Sequence, residues 1–483
     1  MRRFRRHTHE PAAHSFRLAP IRLLRCAGLA FALIAAAGVG VPTPATAERG
    51  PSLHANEAPP NGDYEILVAP RGTAAAETAA ARADGTRVRA ERRLFRAINR
   101  AAELLAEPGA TTVTIRLAAG EYPGQAGLGV WTIPTIANPE GRLRILGGYD
   151  DTFSARSPFT NLSRLVTQAG RDGAFITVDR RSQLAELVIS GLHFDAAPSN
   201  NYDARSNSIL KGSSRTYGLL SFNQLRVESL VVADNIFING AHGAFDPAIG
   251  GVPGSKVEIR NNLFLNTIMP MKASAMSRGT EVDIVIQGNS FILNWPFNPD
   301  PTSSNVGAVE LYHSDGYKTL TFEDNLFAFN PGGAMQQDWA PDRMGPITLR
   351  NNLFHGNGSL FSTATPEEGV IVGKFGTNPT YMSLDLIAVE DDFDYTVEGN
   401  VSMDPGITLS IAPLQAVDSD AVQRDDTFIN DVRRILGMNQ SGGAVPIANY
   451  APRMVYLPEH PPLPSNPDAQ RYGIQPGQVW GGR

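Results

Sequence analysis

Three residues in the middle of the chain have side chains that can accept or donate a proton. Lys272 is one of five lysines in the sequence, and Tyr312 and His313 are neighbours further along. In a β-elimination, a base removes the proton next to a carboxylate and an acid protonates the departing oxygen. These residue types therefore predict Lys272 as the base and Tyr312 or His313 as the acid.

A second group of residues could hold a substrate rather than react with it. Carboxylate and amide side chains bind hydroxyl groups, and aromatic rings stack on the apolar faces of sugars. Ca²⁺ could neutralise a substrate carboxylate beside them, and it is the one cofactor considered, without assigned ligands. The predicted substrate-binding residues are Glu310, Gln336, Asp338, Trp295, Trp339 and Tyr317.

Strand alternation is the reason to expect these groups on one surface. If Met271 and Ala273 point into a core, Lys272 between them points outward. The same alternation on the next strand turns Glu310 and Tyr312 outward. Neighbouring strands lie about 4.8 Å apart, so such residues form a polar column within about 10 Å.

A recurring phrase between Leu187 and Met403 indicates which fold holds this column. Each copy has alternating aliphatic residues, then Asn, then usually an apolar residue and Phe. Successive copies of the Asn are 27, 27, 36, 27 and 48 residues apart, which is typical of stacked coils with loop insertions. The repeated residues are Asn235, Asn262, Asn289, Asn325, Asn352 and Asn400, followed by Phe237, Phe264, Phe291, Phe327 and Phe354.

The repeat predicts an all-β fold, a single-stranded right-handed parallel β-helix of about ten coils with helical caps at both ends. A strand-and-turn unit buries its apolar face only when it stacks on the next unit. Asn tolerates left-handed turns, so we expect its side chains to bond along the stack, and the Phe rings to form a ladder inside. An ordinary β-sandwich with turns at chance spacing is the alternative.

The two ends of the chain differ from the repeat region. Seven arginines precede an apolar run at 27–41 and small residues at 45–47, which is typical of a cleaved signal peptide. Apolar residues at helical spacing in 92–106 and 420–438 predict the two caps. The predicted divisions are a signal peptide (1–47), a flexible lead-in (48–63), an N-terminal strand and capping helix (64–111), the parallel β-helix (112–410), a C-terminal helical cap (411–440) and an extended Pro/Gly-rich tail (441–483).

Composition restricts the partners that we expect. The chain has 48 acidic and 42 basic residues, and loss of the arginine-rich leader would make the exported protein more acidic. An acidic chain disfavours nucleic acid, because phosphate binding needs a basic surface. The single cysteine, Cys26, lies in the leader, so no disulfide is expected after cleavage. We expect an extracellular polysaccharide as partner, no membrane span in the mature chain, and a periplasmic, cell-surface or secreted location.

The segment that precedes the repeated phrase resembles a known superfamily. The sequence from Ile66 through 118–122 (AAGEY) to 147–150 (GGYD) resembles the entry region of secreted bacterial proteins of the pectin-lyase-like superfamily. With the repeats, the resemblance covers most of the chain from Tyr64 to about Met403. It implies the parallel β-helix fold, which carries many different chemistries and also inert stalks.

A narrower resemblance is to the alginate and chondroitin lyases that fold as β-helices. The segment 272–274 (KAS) is similar to their lysine strand, and 309–313 (VELYH) is similar to their neighbouring strand. That family has arginine where this chain has Tyr312, and an insertion separates the two strands. The resemblance therefore implies candidate roles for Lys272 and His313 without implying the complete lyase site.

Two functions remain open at this point. The first is an exported carbohydrate-active protein that binds a polysaccharide in a lateral groove of the β-helix, with or without cleavage by β-elimination. The second is a non-catalytic surface, matrix or adhesion solenoid, which the incomplete catalytic pattern favours. The pairing of Lys272 distinguishes them, because a lysine held by Glu310 indicates a structural role.

Overall fold

Alternating β-branched and aliphatic segments form strands along most of the chain. A computed structural model describes residues 62–408 and 460–480, apart from short gaps. The gaps are 107, 125–130, 167–175, 180, 197–201, 204–207, 210–219, 223–224, 241–244, 247–251, 253, 274–281, 296–306, 312–317, 331, 338–345, 359–370, 376–377 and 390–393. The predicted signal peptide (1–47) and C-terminal cap (411–440) lie outside the described residues.

The largest sheet, sheet A, contains eleven strands, and all neighbouring strands in it are parallel. In spatial order they are β2 (Val88–Glu91), β1 (Asp63–Val68), β3 (Thr112–Ala118), β6 (Arg142–Tyr149), β9 (Gln183–Ser190), β14 (Arg226–Ala233), β17 (Lys256–Arg260), β20 (Asp283–Gln287), β23 (Thr319–Glu323), β26 (Ile347–Arg350) and β30 (Tyr395–Glu398). From β3 onward, strands that are neighbours in sheet A lie three to five strands apart in chain order. The chain therefore leaves sheet A after each of its strands and returns to it later.

Two further sheets take up the intervening strands. Sheet B contains β4 (Gly120–Pro123), β7 (Ser163–Val166), β10 (Leu192–Asp195), β15 (Ile236–Ile238), β18 (Leu263–Leu265), β21 (Ser290–Ile292), β24 (Leu326–Ala328), β27 (Leu353–His355) and β31 (Val401–Ser402). Sheet C contains β5 (Trp131–Ile133), β8 (Ile176–Val178), β13 (Leu220–Phe222), β16 (Phe245–Asp246), β19 (Met271–Ala273), β22 (Val309–Leu311), β25 (Met335–Gln337), β28 (Ile371–Phe375) and β29 (Asn378–Met382). Within these two sheets only β28 and β29 pair antiparallel.

The strands visit the three sheets in a fixed order. From β3 the chain passes through sheets A, B and C in turn, and we call one such pass a coil. A small antiparallel pair, β11 (Tyr202–Asp203) and β12 (Ser208–Ile209), interrupts one coil. This order confirms the prediction of an all-β, parallel, solenoid-like fold, and it excludes the β-sandwich alternative, which requires largely antiparallel sheets.

In the described residues, three α-helices lie outside the sheets. Helix α1 (Ala74–Arg82) begins after Thr73, whose hydroxyl accepts from Ala76 N at 3.2 Å as an N-cap. Helix α2 (Leu94–Leu104) lies within the predicted 92–106 segment and buries its apolar face against β1, β3 and β5. Helix α3 (Leu384–Val389) precedes β30 and buries Ile387. The sequence analysis did not predict α1 or α3.

The interior is a continuous apolar core formed by alternate residues of all three sheets. Successive phenylalanines in sheet B stack with ring centroids 4.7–5.1 Å apart and interplanar angles of 3–8°. Phe194 extends the ladder by one ring beyond the five phenylalanines named from the sequence. Offset or parallel aromatic contacts at this spacing contribute roughly 0.5–1.5 kcal/mol each beyond burial.

The turn between sheets A and B carries the asparagine ladder. The backbone N and the Nδ2 of Asn289 both donate to Asn325 Oδ1, at 2.9 and 3.0 Å. The same Nδ2 also donates to Ile259 O at 2.8 Å. This pattern repeats from Asn235 to Asn352, and the residue before each ladder Asn has a positive φ, as in Asp234 at 57°.

A second ladder lies five residues further along, at the turn between sheets B and C. Asn294 N and Nδ2 donate to Asn330 Oδ1, and Asn330 N and Nδ2 donate in turn to Asn357 Oδ1. Thr267 continues it, since Thr267 N donates to Asn294 Oδ1 at 3.2 Å. Two ladders therefore fix the register of neighbouring repeat coils, the second of them from Thr267 to Asn357.

Residues 460–480, which we call the strap, contact the outer surface of sheet B. Ala469, Tyr472 and Ile474 are buried there against an apolar group separate from the interior core, which we call the outer cluster. The strap contains one 3-10 turn, Pro467–Ala469, and no strand. It is thus held by side chains and single hydrogen bonds rather than by pairing with a sheet.

Candidate functional site

Sheet C brings three of the predicted site residues into one column. The parallel register places Lys272 of β19 opposite Glu310 of β22, and Glu310 opposite Gln336 of β25. Met271 and Ala273, on either side of Lys272, are fully buried in the interior core. Strand alternation therefore directs Lys272 away from the core, and the regular spacing of parallel strands brings its partners alongside it.

Lys272 and Glu310 form an ion pair. Lys272 Nζ lies 3.3 Å from Glu310 Oε2, with the lysine side chain 33% exposed and the glutamate side chain 2% exposed. A base needs a lone pair directed at its substrate, whereas this ammonium group faces a carboxylate. The geometry is that of a cation which compensates a buried negative charge.

The two glutamines of β25 are also buried. Gln336 Oε1 accepts from Gly307 N at 3.4 Å, and the side chain has no exposed area. Gln337 lies opposite Leu311 in the register and accepts from Tyr395 Oη at 2.7 Å. Both amides therefore serve the packing of the sheet, and Tyr395 is a partner 58 residues away that no local sequence pattern indicates.

The polar column continues on the strands that precede β19. Thr132, Thr177 and Ser221 occupy successive register positions in β5, β8 and β13. Thr132 is exposed, and Thr177 and Ser221 are half-buried, whereas the residues on both sides of each are buried. Asp246 follows Ser221 in the register. Among the column residues whose burial the structure describes, the solvent-accessible groups are the hydroxyls of Thr132, Thr177 and Ser221 and the Lys272 ammonium.

Five predicted site residues follow strands of sheet C in the sequence and lie outside the described residues. They are Tyr312, His313, Tyr317, Asp338 and Trp339. Their roles stay predictions, and the described part of the site consists of Lys272, Glu310 and Gln336.

Trp295 lies in a different place from the one its predicted role requires. Its side chain is 5% exposed and packs in the outer cluster on sheet B. Its Nε1 donates to Asn266 Oδ1 at 2.9 Å, and Asn266 Nδ2 donates to Asn239 Oδ1 at 2.8 Å. A ring enclosed in this way has no face open to a sugar, so Trp295 is a packing residue in this structure.

A buried charged group on sheet B is a feature that the sequence analysis missed. Arg164 pairs with Asp195, which has no exposed area and also accepts from Asn239 Nδ2 at 3.1 Å. His193 lies beside Arg164 in the register, and neither ring nitrogen has a hydrogen-bond partner among the residues that the structure describes. Burial, with a smaller effect of the Arg164 charge, lowers the pKa of His193 to about 4.

A second buried group lies at the neighbouring turn. The Arg156 side chain is 7% exposed, and its Nη1 lies 3.8 Å from Asp234 Oδ2. Arg156 Nε also donates to Gly147 O at 2.8 Å, and Ser190 Oγ donates to Asp234 at 3.0 Å. Burial lowers the pKa of Arg156 despite the opposing effect of Asp234. Arg156 also donates to Ser190 Oγ, so its side chain contacts the coils of Gly147, Ser190 and Asp234.

The described residues give no indication of a metal site or of a membrane-spanning helix. No group of three or more His, Cys, Asp or Glu side chains that could hold a metal ion occurs among the described residues. None of the helices in the described ranges is long and apolar enough to cross a membrane. No family model, curated protein or solved structure matches this chain.

Proposed function

We propose that this protein is an exported, right-handed parallel β-helix with helical caps that binds an extracellular polysaccharide along the polar column of sheet C. The observation that carries the proposal is the register of Thr132, Thr177, Ser221 and Lys272. These polar side chains recur at the same position of different coils, and each is at least partly exposed.

A repeating surface suits a repeating ligand. Parallel strands are about 4.8 Å apart, so the column offers a hydrogen-bonding group at regular intervals along the stack. Hydroxyl side chains both donate and accept, which matches the hydroxyl groups of a glycan. A single weak contact per coil is then multiplied by the number of coils that the polymer covers.

The Lys272–Glu310 pair favours binding over cleavage. An ammonium group 3.3 Å from a buried carboxylate is committed to that carboxylate, which supports a structural or substrate-orienting role. The lyase role assigned to Lys272, with Tyr312 or His313 as acid, therefore becomes the less favoured form of the proposal. A non-catalytic surface, matrix or adhesion solenoid is the second candidate, and the same ion pair is the observation that favours it.

A binding assay with two matched variants tests the proposal. Thr177→Tyr places a bulky ring on the column of sheet C, and Thr348→Tyr places the same ring at an equally half-buried position of sheet A. Purified protein is tested by affinity electrophoresis against alginate, pectate, chondroitin, hyaluronan and neutral glycans, with and without Ca²⁺. We expect at least one polymer to retard the protein, and Thr177→Tyr alone to abolish the retardation.

Ultraviolet absorbance of the same mixtures separates binding from cleavage. An absorbance rise shows that an unsaturated uronate is formed, and its loss in Lys272→Ala would restore the lyase interpretation. Retardation without a rise supports a binding protein. No retardation by any polymer, with a native circular dichroism spectrum, contradicts the proposal and leaves the non-catalytic solenoid. Fractionation of the expressing cells tests export, since the proposal requires protein outside the cytoplasm.

A further inference from the structure

The strap crosses the coils of the solenoid one after another. It begins at the last described coil, where Asn466 Nδ2 donates to Asp404 O at 2.9 Å. Its backbone amides then donate to residues of successively earlier coils. These bonds are Gly473 N to Asp324 O (2.8 Å), Ile474 N to Ser290 Oγ (3.0 Å), Gln475 N to Asn261 Oδ1 (2.6 Å) and Trp480 N to Asp234 Oδ2 (2.9 Å).

Apolar contacts accompany these hydrogen bonds. Ala469, Tyr472 and Ile474 of the strap are at most 2% exposed. They pack in the outer cluster with sheet B residues that point away from the interior core. The cluster residues from the repeat strands are Ile236, Ile238, Leu263, Leu265, Ile292, Leu326, Ala328 and Leu353. An apolar row of this kind on the outside of a solenoid needs a cover, and the strap covers it.

The turn residues that receive the strap are held in place by the solenoid itself. Asp234 and Asn261 adopt positive φ at the corner between sheets A and B. Asn261 Nδ2 donates to Asp234 Oδ1 at 2.8 Å, and Ser190 Oγ donates to Asp234 Oδ2. Asn261 also donates to Gln478 O at 3.2 Å, so it binds the strap backbone as both donor and acceptor. The receiving groups are therefore ordered by contacts other than those with the strap.

The strap contacts resemble those of a bound peptide. Residues 409–459 separate the strap from the last described coil in sequence, and no strap residue belongs to a sheet. Its contacts include backbone hydrogen bonds to fixed acceptors, side-chain hydrogen bonds from Ser465 and Asn466, and three apolar side chains in a preformed row. A separate peptide of the same sequence could make every one of them.

We infer that the outer face of sheet B is a binding groove for an extended peptide, and that the C-terminal segment of this chain is its ligand. This inference does not depend on the polysaccharide proposal, which concerns sheet C. The turn residues between sheets A and B accept hydrogen bonds from the backbone amides of the peptide. The outer cluster binds apolar side chains at the spacing of residues 469, 472 and 474. A ligand tethered to the groove acts at a high local concentration, so the intact chain keeps the groove occupied.

A peptide-binding experiment on the full chain tests the inference. Tyr472→Asp combined with Ile474→Asp places two charges in the outer cluster and is expected to release the strap. Gln470→Asp combined with Gly477→Asp is the matched control, because both positions are exposed. A fluorescent synthetic peptide of residues 460–480 is then titrated into each variant. We expect it to bind the released chain at least about tenfold more tightly than the control chain.

The same titration with a peptide carrying both Asp substitutions is expected to show no binding. Hydrogen exchange on the released variant must show fast exchange at Gly473, Ile474 and Gln475. A strap that stays protected, or a released chain that keeps its native circular dichroism spectrum and does not bind the wild-type peptide, overturns the inference. Should the released variant not fold, exchange in the wild-type chain decides: strap amides that open before the strands of sheet B support a separable ligand, and amides that exchange only with those strands contradict it.

Discussion

At the scale of single residues, an inner ladder asparagine makes hydrogen bonds in two directions along the stack. Its Oδ1 accepts two hydrogen bonds from the preceding coil, its backbone N and Nδ2 donate to the next asparagine, and its Nδ2 also donates to a strand carbonyl. Asn289, for example, accepts from Asn262 N and Nδ2, both at 2.9 Å, and donates to Ile259 O. An uncompensated buried amide costs about 1–3 kcal/mol, so the inner ladder positions are the most sensitive to substitution.

We predict that Asn289→Ala lowers the free energy of unfolding by about 3 kcal/mol, because two donors of Asn262 and the Ile259 carbonyl lose their partner. Asn400→Ala is the control at the end of the ladder, where the side chain is half-buried and water can replace it. Its loss is expected to be about 1 kcal/mol. Urea denaturation measures both, and equal losses would contradict the argument.

Lys272 offers a test of structure against catalysis. We predict that Lys272→Met destabilises the protein by about 2 kcal/mol, since Glu310 is left 2% exposed without its cation. Adding Glu310→Gln removes the uncompensated charge, and most of the loss should be recovered. Thermal denaturation of the single and double variants measures this. A single variant as stable as the wild type would mean that the pair does not stabilise the sheet.

His193 makes the stability of the protein sensitive to acid. The unfolded chain binds a proton at the ordinary pKa of 6.5, whereas burial keeps the folded imidazole neutral down to a pKa of about 4. Asp195 and Arg164 are the charged groups that face it, with opposite effects. Between these values the unfolded state binds more protons, so the free energy of unfolding falls as the pH falls. The full loss is about 3 kcal/mol, reached near the lower pKa.

The prediction is therefore that lowering the pH from about 7.5 to about 5 costs the wild type about 2 kcal/mol more than it costs His193→Leu. Urea midpoints at the two pH values measure the difference. His460→Gln is the control, because His460 is an exposed histidine of the strap. An identical pH response of His193→Leu and the wild type would show that this imidazole is not responsible.

At the scale of elements, docking of the strap depends on backbone geometry as well as on its buried side chains. Gly473 has a φ of 76°, and a Cβ at this position would overlap Ser290 Oγ and lie 2.9 Å from Leu326 Cβ. Gly477, four residues later, faces open space. Gly473 is therefore packed closely against sheet B, whereas Gly477 has no neighbouring atom that an added methyl group would meet.

We predict that Gly473→Ala weakens strap docking and costs about 2 kcal/mol, from both the positive φ and the overlap with sheet B. Gly477→Ala should change stability by less than about 0.5 kcal/mol, because an added methyl meets no atom there. Hydrogen exchange at Ile474 and Gln475 is the specific readout. Unchanged protection of these amides in Gly473→Ala would show that the contact tolerates a side chain.

The sequence predicted those elements whose residues repeat, and it failed where the residue types vary. Asn and Phe recur at a period of 27, so the first ladder and the strands of the repeat could be predicted from the sequence. The second ladder changes from Thr267 to Asn294, and its signal was the spacing of five residues after each ladder Asn. The strap depends on contacts between positions more than 180 residues apart, such as Ile474 with Ser290, which no local pattern reveals.

The candidate site was only partly predictable for the same reason. Alternation was sufficient to place Lys272 and Glu310 on one column, because a strand has only two faces. It could not show that Glu310 is buried, or that Trp295 turns toward sheet B, since both depend on which neighbouring coil covers them. Tyr312 and the other predicted residues outside the repeated phrase follow no period, so their positions could not be derived from the repeat.

At the scale of the whole molecule, parallel stacking pairs the strands of each coil only with the strands of its two neighbours. Stability is then a sum of coil terms and neighbour terms rather than a property of one global core. The Phe ladder allows the energy between neighbouring coils to be tested. Phe264 and Phe291 are 4.7 Å apart, whereas three rings lie between Phe194 and Phe327.

We predict that Phe264→Leu and Phe291→Leu are coupled by about 1 kcal/mol, since each ring is the other's stacking partner. The distant pair, Phe194→Leu with Phe327→Leu, should be additive within about 0.5 kcal/mol. Double-mutant cycles from urea denaturation give both values. Strong coupling in the distant pair would indicate a cooperative core and would contradict the nearest-neighbour description.

The path of the strap also relates its length to the number of coils in the solenoid. It is fixed near Asp404 at one end and at Asp234 at the other, so its length must match the number of coils between them. A duplication that added one coil in this interval would move Asp234 about 4.8 Å away from Trp480. Coil number and strap length must consequently change together during evolution, and a homologue with an extra repeat should carry a correspondingly longer C-terminal segment.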